Sequence, residues 1–245
     1  MRLNGLTFLV ARGVELAGDA ALARWQAAIA LGALREDVWY LPGLGRAVEA
    51  PSVSHFFRDG AGGFVPLVTP GARGQTRRIF ARAVRLHRGG DEAAGYVQLG
   101  RCAHLLADMA CPVHVHRYPH DSDGYEWWIE SHTDELRALP VPAPPDVASA
   151  AALIDSLARF TRTFAGDATQ WSVGRALRRR GVLRGLPMKA QAEAARAIVP
   201  VAAAHMAALF RHFRERVGAR AASPVDGARV LRAPVDLRDR AAIDR

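Results

Sequence analysis

Apolar side chains recur along this chain at intervals of three and four residues. Little of the strict alternation that marks half-buried strands is present, so the period predicts amphipathic helices. The stretches that carry it run roughly over 4–17, 20–34, 72–88, 91–110, 124–138, 147–165, 168–180 and 188–217. Glycine and proline punctuate the pattern at Pro42 to Gly45, Gly60 to Gly74, Gly89 to Gly90, Pro140 to Pro145 and Gly181 to Pro187, where helices are expected to stop. Pro200 lies inside the last stretch and is expected to kink it, because its ring removes a ladder hydrogen bond. The expected fold class is all-α: one compact multi-helix domain over residues 1–218. Residues 219–245 are rich in Arg, Asp and Pro with little apolar pattern, and are expected to form a loose extension.

Composition narrows this picture only modestly. With 245 residues, half of them apolar, the chain can bury a substantial core as a single domain. The formal charge of +9 is concentrated in tracts such as RRIFARAVRLHR and RALRRRGVLRG. Only one of the 33 basic residues is Lys, which together with abundant Ala and Gly reads as coding bias. Such charge attracts an anionic lipid surface or a polynucleotide equally and names neither. Cys102 and Cys111 are nine residues apart on or near one helix, about 13 Å at the helical rise, which exceeds disulfide reach. They are expected to be free thiols. The apolar run LTFLVA is short for a secretory signal, and no stretch is expected to cross a bilayer. The default expectation is therefore a cytoplasmic protein.

Chemistry is concentrated in one segment. From Gly100 to His132 the chain reads GRCAHLLADMACPVHVHRYPHDSDGYEWWIESH, with five of its nine histidines beside Asp108, Glu126 and Glu130. His104 and Asp108 stand four apart in an apolar, Pro-free stretch, so a helix presents both on one face, one turn apart. Pro112 should then turn the chain, leaving His114, His116 and His120 on an irregular segment that folds back past the helix end. Asp123 followed by Glu126 has the form of a capping box and predicts a helix start there. Imidazoles mixed with carboxylates suit zinc, or another borderline divalent ion, better than calcium or magnesium. Cys111 lies near enough to be considered as a ligand, although buried packing is the commoner role of Cys.

The order HLLADMACPVH, then His120, then DGYE resembles the zinc-dependent phospholipases C of bacteria and their relatives, the fungal and plant single-strand nucleases. In that superfamily a helix carries His-x-x-x-Asp, a proline precedes another His, and a further His and an acidic residue follow. The resemblance implies that His104 and Asp108 bind one zinc and that His114, His120 and Glu126 bind a second. The phospholipase spacing HxxxE would put Ser122 four residues before Glu126, so His120 joins the set only with a longer spacing. Upstream, LREDVWYLPG and SHFFRDG are similar to the family's acidic residue and its His-Phe block, which implies Asp37 and His55 at the first zinc. The family's third zinc takes the amino group of a processed N-terminal Trp and a nearby His. Nothing before Trp25 matches either, and by helix register Leu6 falls where that His would be. Two zinc ions are therefore expected, with His116 and His132 open as substitutes at a third position.

The same resemblance implies a zinc-dependent hydrolase of phosphodiester bonds, acting on a phospholipid or another phosphodiester through metal-activated water, and the net charge leaves an anionic membrane surface open as a partner. Asp37 is the expected catalytic residue, orienting or deprotonating that water while touching the first zinc. Trp39, Tyr40, Phe56, Phe57, Trp127 and Trp128 are available as a cleft wall for an acyl-glycerol body or a stacked base, though about half should be core. Two alternatives stand beside this reading. One is a nuclease-type phosphodiesterase acting on single-stranded nucleic acid, and the other is a non-catalytic helical metal-binding protein.

Overall fold

The computed structural model describes residues 3–36, 38–41, 46–49, 55–58, 71–120, 123–146 and 148–218, with only the backbone given for 38–41 and 46–49. The stretch 219–245, expected to be a loose extension, lies outside the described residues. The fold is all-α. In chain order it contains α1 (Leu3–Ala17), α2 (Ala20–Arg24), α3 (Gln26–Arg35), α4 (Ala72–Arg88), α5 (Glu92–Asp108), α6 (Pro112–Val115), α7 (Gly124–Ser131), α8 (Thr133–Arg137), α9 (Ala150–Thr161), α10 (Ser172–Arg179) and α11 (Met188–Val217). A small hairpin between α3 and α4 pairs β1 (Val38–Leu41) antiparallel with β2 (Arg46–Glu49), Val38 opposite Glu49. The helical period does not predict this hairpin.

Two expected helices are each broken in two. At Trp25 the backbone leaves helical geometry, and the indole is buried in a stack on Tyr96 with ring centroids 5.3 Å apart. Asp19 starts the resulting short helix α2, its carboxylate accepting from the amides of Ala21 and Leu22. The second break falls at His132, whose ring lies flat on Trp128 at 4.2 Å. Pro200 does not interrupt α11, which continues as one helix for 30 residues. Contrary to the sequence expectation, α11 is long and apolar enough to cross a membrane, but 78% of its most apolar window is buried inside the protein. It packs against α1, α4, α5, α7 and α9 as a core helix.

The centre of the molecule is α5, every residue of which is buried. A helix can be enclosed this way only if its neighbours come very close, and small residues allow it. A Cβ added to Gly100 would lie 2.0 Å from the Ile29 carbonyl oxygen of α3, and one added to Gly32 of α3 would lie 1.9 Å from the Val97 oxygen. Leu99, Ala103, Leu105 and Leu106 fill the apolar sides of α5. A polar stripe of Gln98, Arg101, His104 and Asp108, spaced by three and four residues, runs along the remaining face. That stripe leads to the site.

Candidate metal centre

The site forms where α5 ends. His104, one turn before the end, is fixed by a bond from Nδ1 to the Ala33 carbonyl at 2.8 Å, which turns Nε2 toward Asp108 Oδ2 at 3.3 Å. This is the arrangement a helical His-x-x-x-Asp should produce. His55 arrives from a different part of the chain, on a segment held by Phe57 N donating to the His114 carbonyl and Ala72 N donating to the Phe56 carbonyl. Its Nδ1 stands 3.0 Å from the same Asp108 Oδ2. His55, His104 and Asp108 thus form one group of buried nitrogen and oxygen donors.

A second group lies just beyond. Pro112 occupies the first turn of α6, where its missing N–H costs nothing, so His114 stands on a short helical turn and not on the irregular segment expected from the sequence. Its Nε2 is 3.7 Å from Asp108 Oδ1 and 3.8 Å from Glu126 Oε1. Glu126 reaches in from the first turn of α7, a helix capped by Asp123 through the amide of Tyr125 as the sequence predicts. The Cys111 thiol donates to Glu126 Oε1 at 3.4 Å, so Cys111, His114 and Glu126 converge. The ring of His120 meets His114 edge-on, with centroids 4.6 Å apart, and its Nδ1 bonds the Tyr118 carbonyl. Asp108 connects the two groups, with one oxygen toward each.

The electrostatics suit a cation. Burial pushes the Asp108 carboxyl up, but His114, with His104 and His55, helps to hold it well below its usual range. Burial likewise raises Glu126, and His114 and His120 help to bring it down. Burial, with His114 beside it, drops the His120 imidazole to about 4, so at neutral pH the ring is uncharged and has a lone pair to offer. The Cys111 thiol is pushed well up by burial and by Glu126. Neither ring nitrogen of buried His114 makes a hydrogen bond. Buried imidazoles ordinarily make at least one. Ligands about 2.0–2.2 Å from a tetrahedral zinc lie roughly 3.2–3.6 Å from each other, close to the donor separations seen in both groups. The residues present fit zinc.

Of the residues singled out in the sequence, His55, His104 and Asp108 come together, and so do His114, His120 and Glu126. Asp37, the expected catalytic carboxylate, lies outside the described residues. His116 and His132 do not reach the site: His116 bonds the Phe164 carbonyl at 2.7 Å, and His132 bonds the Trp128 carbonyl at 2.7 Å. Glu36 is a participant the sequence reading misses. It is buried at the end of α3, with Oε2 2.5 Å from Arg101 Nε and Oε1 3.9 Å from His55 Nε2. Arg101, three residues before His104 in an apolar helix, was the available signal, since a buried guanidinium requires a carboxylate.

In sequence, no protein-family model and no curated protein matches this chain. In structure, it is similar to the alpha-toxin of Clostridium perfringens isolated from an avian strain, with a TM-score of 0.56 and 14% identity over 88% of this chain. The chain spans 65% of the length of that toxin chain. At this identity, what the two share is the helical fold.

Proposed function

We propose that the chain is a zinc-dependent hydrolase of phosphodiester bonds of the phospholipase C type, acting on phospholipid. The observation that carries this reading is Asp108, whose two oxygens face two separate groups of buried imidazole and carboxylate donors. Single structural zinc sites are closed by one set of four ligands and need no carboxylate shared with a second set. The resemblance of HLLADMACPVH and SHFFRDG to the zinc-dependent phospholipases C, and the fold shared with alpha-toxin, agree with it. His55, His104 and Asp108 would hold one zinc, and His114, His120 and Glu126 the other, with Asp37 completing the first.

Bound zinc supplies Lewis acidity toward a phosphoryl oxygen and brings the pKa of water down to about 7. The side chains provide orientation. The bond from His104 to Ala33 fixes which nitrogen faces the centre. The Arg101–Glu36 pair secures the chain just before Asp37, the residue assigned to orient the attacking water. Half-buried Phe56 stands beside His114 and His120 and offers an apolar wall to the glycerol end of a lipid.

The test combines metal analysis with side-by-side assays on phosphatidylcholine vesicles and single-stranded DNA. The expected result is about two zinc atoms per chain, chelator-sensitive release of a phosphorylated head group, and no DNA cleavage. Asp108→Ala should lose zinc and activity together, whereas Arg179→Ala, on the exposed side of α10, should keep both. Stoichiometric zinc retained in Asp108→Ala would refute the assignment. DNA cleavage in place of lipid hydrolysis would move the protein to the nuclease alternative, and zinc with no turnover on either substrate to the non-catalytic one.

A further inference from the structure

Behind the second donor group lies a partly enclosed cavity of about 90 Å³, bounded by Pro112 and Val113 of α6, Asp123 at the head of α7, Phe164, and Gln191 and Ala194 of α11. Its walls are mostly apolar, and no Lys, Arg or His is among the residues that line it. Three of the donors around it are already used. The Tyr125 hydroxyl donates to the Ala110 carbonyl at 2.7 Å, Gln191 Nε2 to the Leu186 carbonyl at 3.0 Å, and Leu186 N to Asp167 at 2.9 Å. Two buried oxygens are left without a partner. Asp123 is 3% exposed and Gln191 5%, and Oδ2 of the first and Oε1 of the second accept no hydrogen bond. The bond from Gln191 Nε2 fixes the orientation of that amide, so Oε1 faces the head of α7, where only a glycine at 124 leaves it room.

Two buried acceptors without a donor cost about 1–3 kcal/mol each. One water needs about 10–15 Å³ of such space, so the cavity is several times larger, and its apolar walls give a cluster of waters few partners. Asp123 and Asp167 are both in the lining, which favours a positive occupant. We propose that this cavity binds a small primary alkylammonium, its N–H groups donating to Asp123 Oδ2 and Gln191 Oε1 while its carbons pack on Val113 and Phe164. Because α6 carries His114 and α7 carries Glu126, an occupant here braces the pair of elements that forms the second donor group.

Calorimetric titration of the full chain with ethylammonium tests this, with ethanol as the neutral isostere and tetramethylammonium as the cation that lacks N–H donors. Saturable binding of ethylammonium is expected, at least about tenfold tighter, or 1.4 kcal/mol, than either control. Asp123→Asn keeps the oxygen that caps α7 but places an amide donor at the other position, and should weaken binding at least about tenfold. Ala190→Leu, from the less buried side of the lining, should abolish it by filling the space, and decides the matter if Asp123→Asn does not fold. The site is overturned if ethylammonium binds no more tightly than ethanol or tetramethylammonium, if it does not bind at all, or if Ala190→Leu binds it as well as the parent chain does.

Discussion

At the scale of single residues, Cys111 is where geometry and chemistry diverge. Its sulfur converges with His114 and Glu126 in a manner that could hold an ion. Yet the thiol donates to Glu126, and Glu126, Asp108 and Asp123 all oppose the thiolate, adding to the cost of burial. A ligand must lose its proton, whereas a donor to a ligand must keep it. We expect Cys111 to orient Glu126 as a neutral thiol. Cys111→Ser, which retains a donor, should then leave zinc content unchanged, while His114→Ala should lower it by about one atom per chain if the centre holds two. Loss of zinc in Cys111→Ser comparable to that in His114→Ala would make the sulfur a ligand.

Between elements, the decisive contact is the approach of α3 to α5, because the carbonyl of Ala33 on one orients His104 on the other. Gly100→Ala would place a methyl 2.0 Å from a backbone oxygen, which cannot rotate aside. The helix-propensity gain of up to about 1 kcal/mol should be outweighed by overpacking of about 3 kcal/mol, a net loss of about 2 kcal/mol or about 4–8 °C in Tm. Zinc should be lost at the first group before the second, which thermal melts and metal analysis would check together. An unchanged Tm would mean that α3 and α5 separate freely. This seam also shows how far the sequence could be read. The helical period finds α1, α4, α5 and α11 nearly end to end, because each has a long apolar face. The breaks at Trp25 and His132 are set by ring stacking on Tyr96 and Trp128, contacts that periodicity does not encode. Close spacing makes the His104, Asp108, His114 and Glu126 cluster visible in the sequence. Glu36 is not, because its role depends on Arg101, far away in sequence.

Across the whole molecule, α11 is tied to the beginning of the chain. Arg214, near the end of α11, reaches Asp19 at 3.1 Å and the Tyr96 hydroxyl at 3.2 Å, so α1, α2 and α5 are joined at one point. Asp19 also caps α2. Burial raises its carboxyl, but the amide of Leu22 and then Arg214 outweigh this, and the net shift is below its ordinary value of 3.8. A carboxyl depressed in the folded state contributes stability that is complete above its unfolded pKa and fades as pH falls through the lower, folded one. The pair is partly exposed, with 32% of the Asp19 side chain accessible, and so is screened by solvent. Asp19→Asn keeps a good cap and removes only the charge. At neutral pH and low salt it should melt no more than about 4 °C below the parent, as expected for an exposed pair worth at most about 1 kcal/mol. That gap should close as pH falls below about 4, as the parent's carboxylate is itself protonated. Added salt at neutral pH should narrow the gap as well. A gap of constant size across the acid range would mean that it does not come from the Asp19 charge.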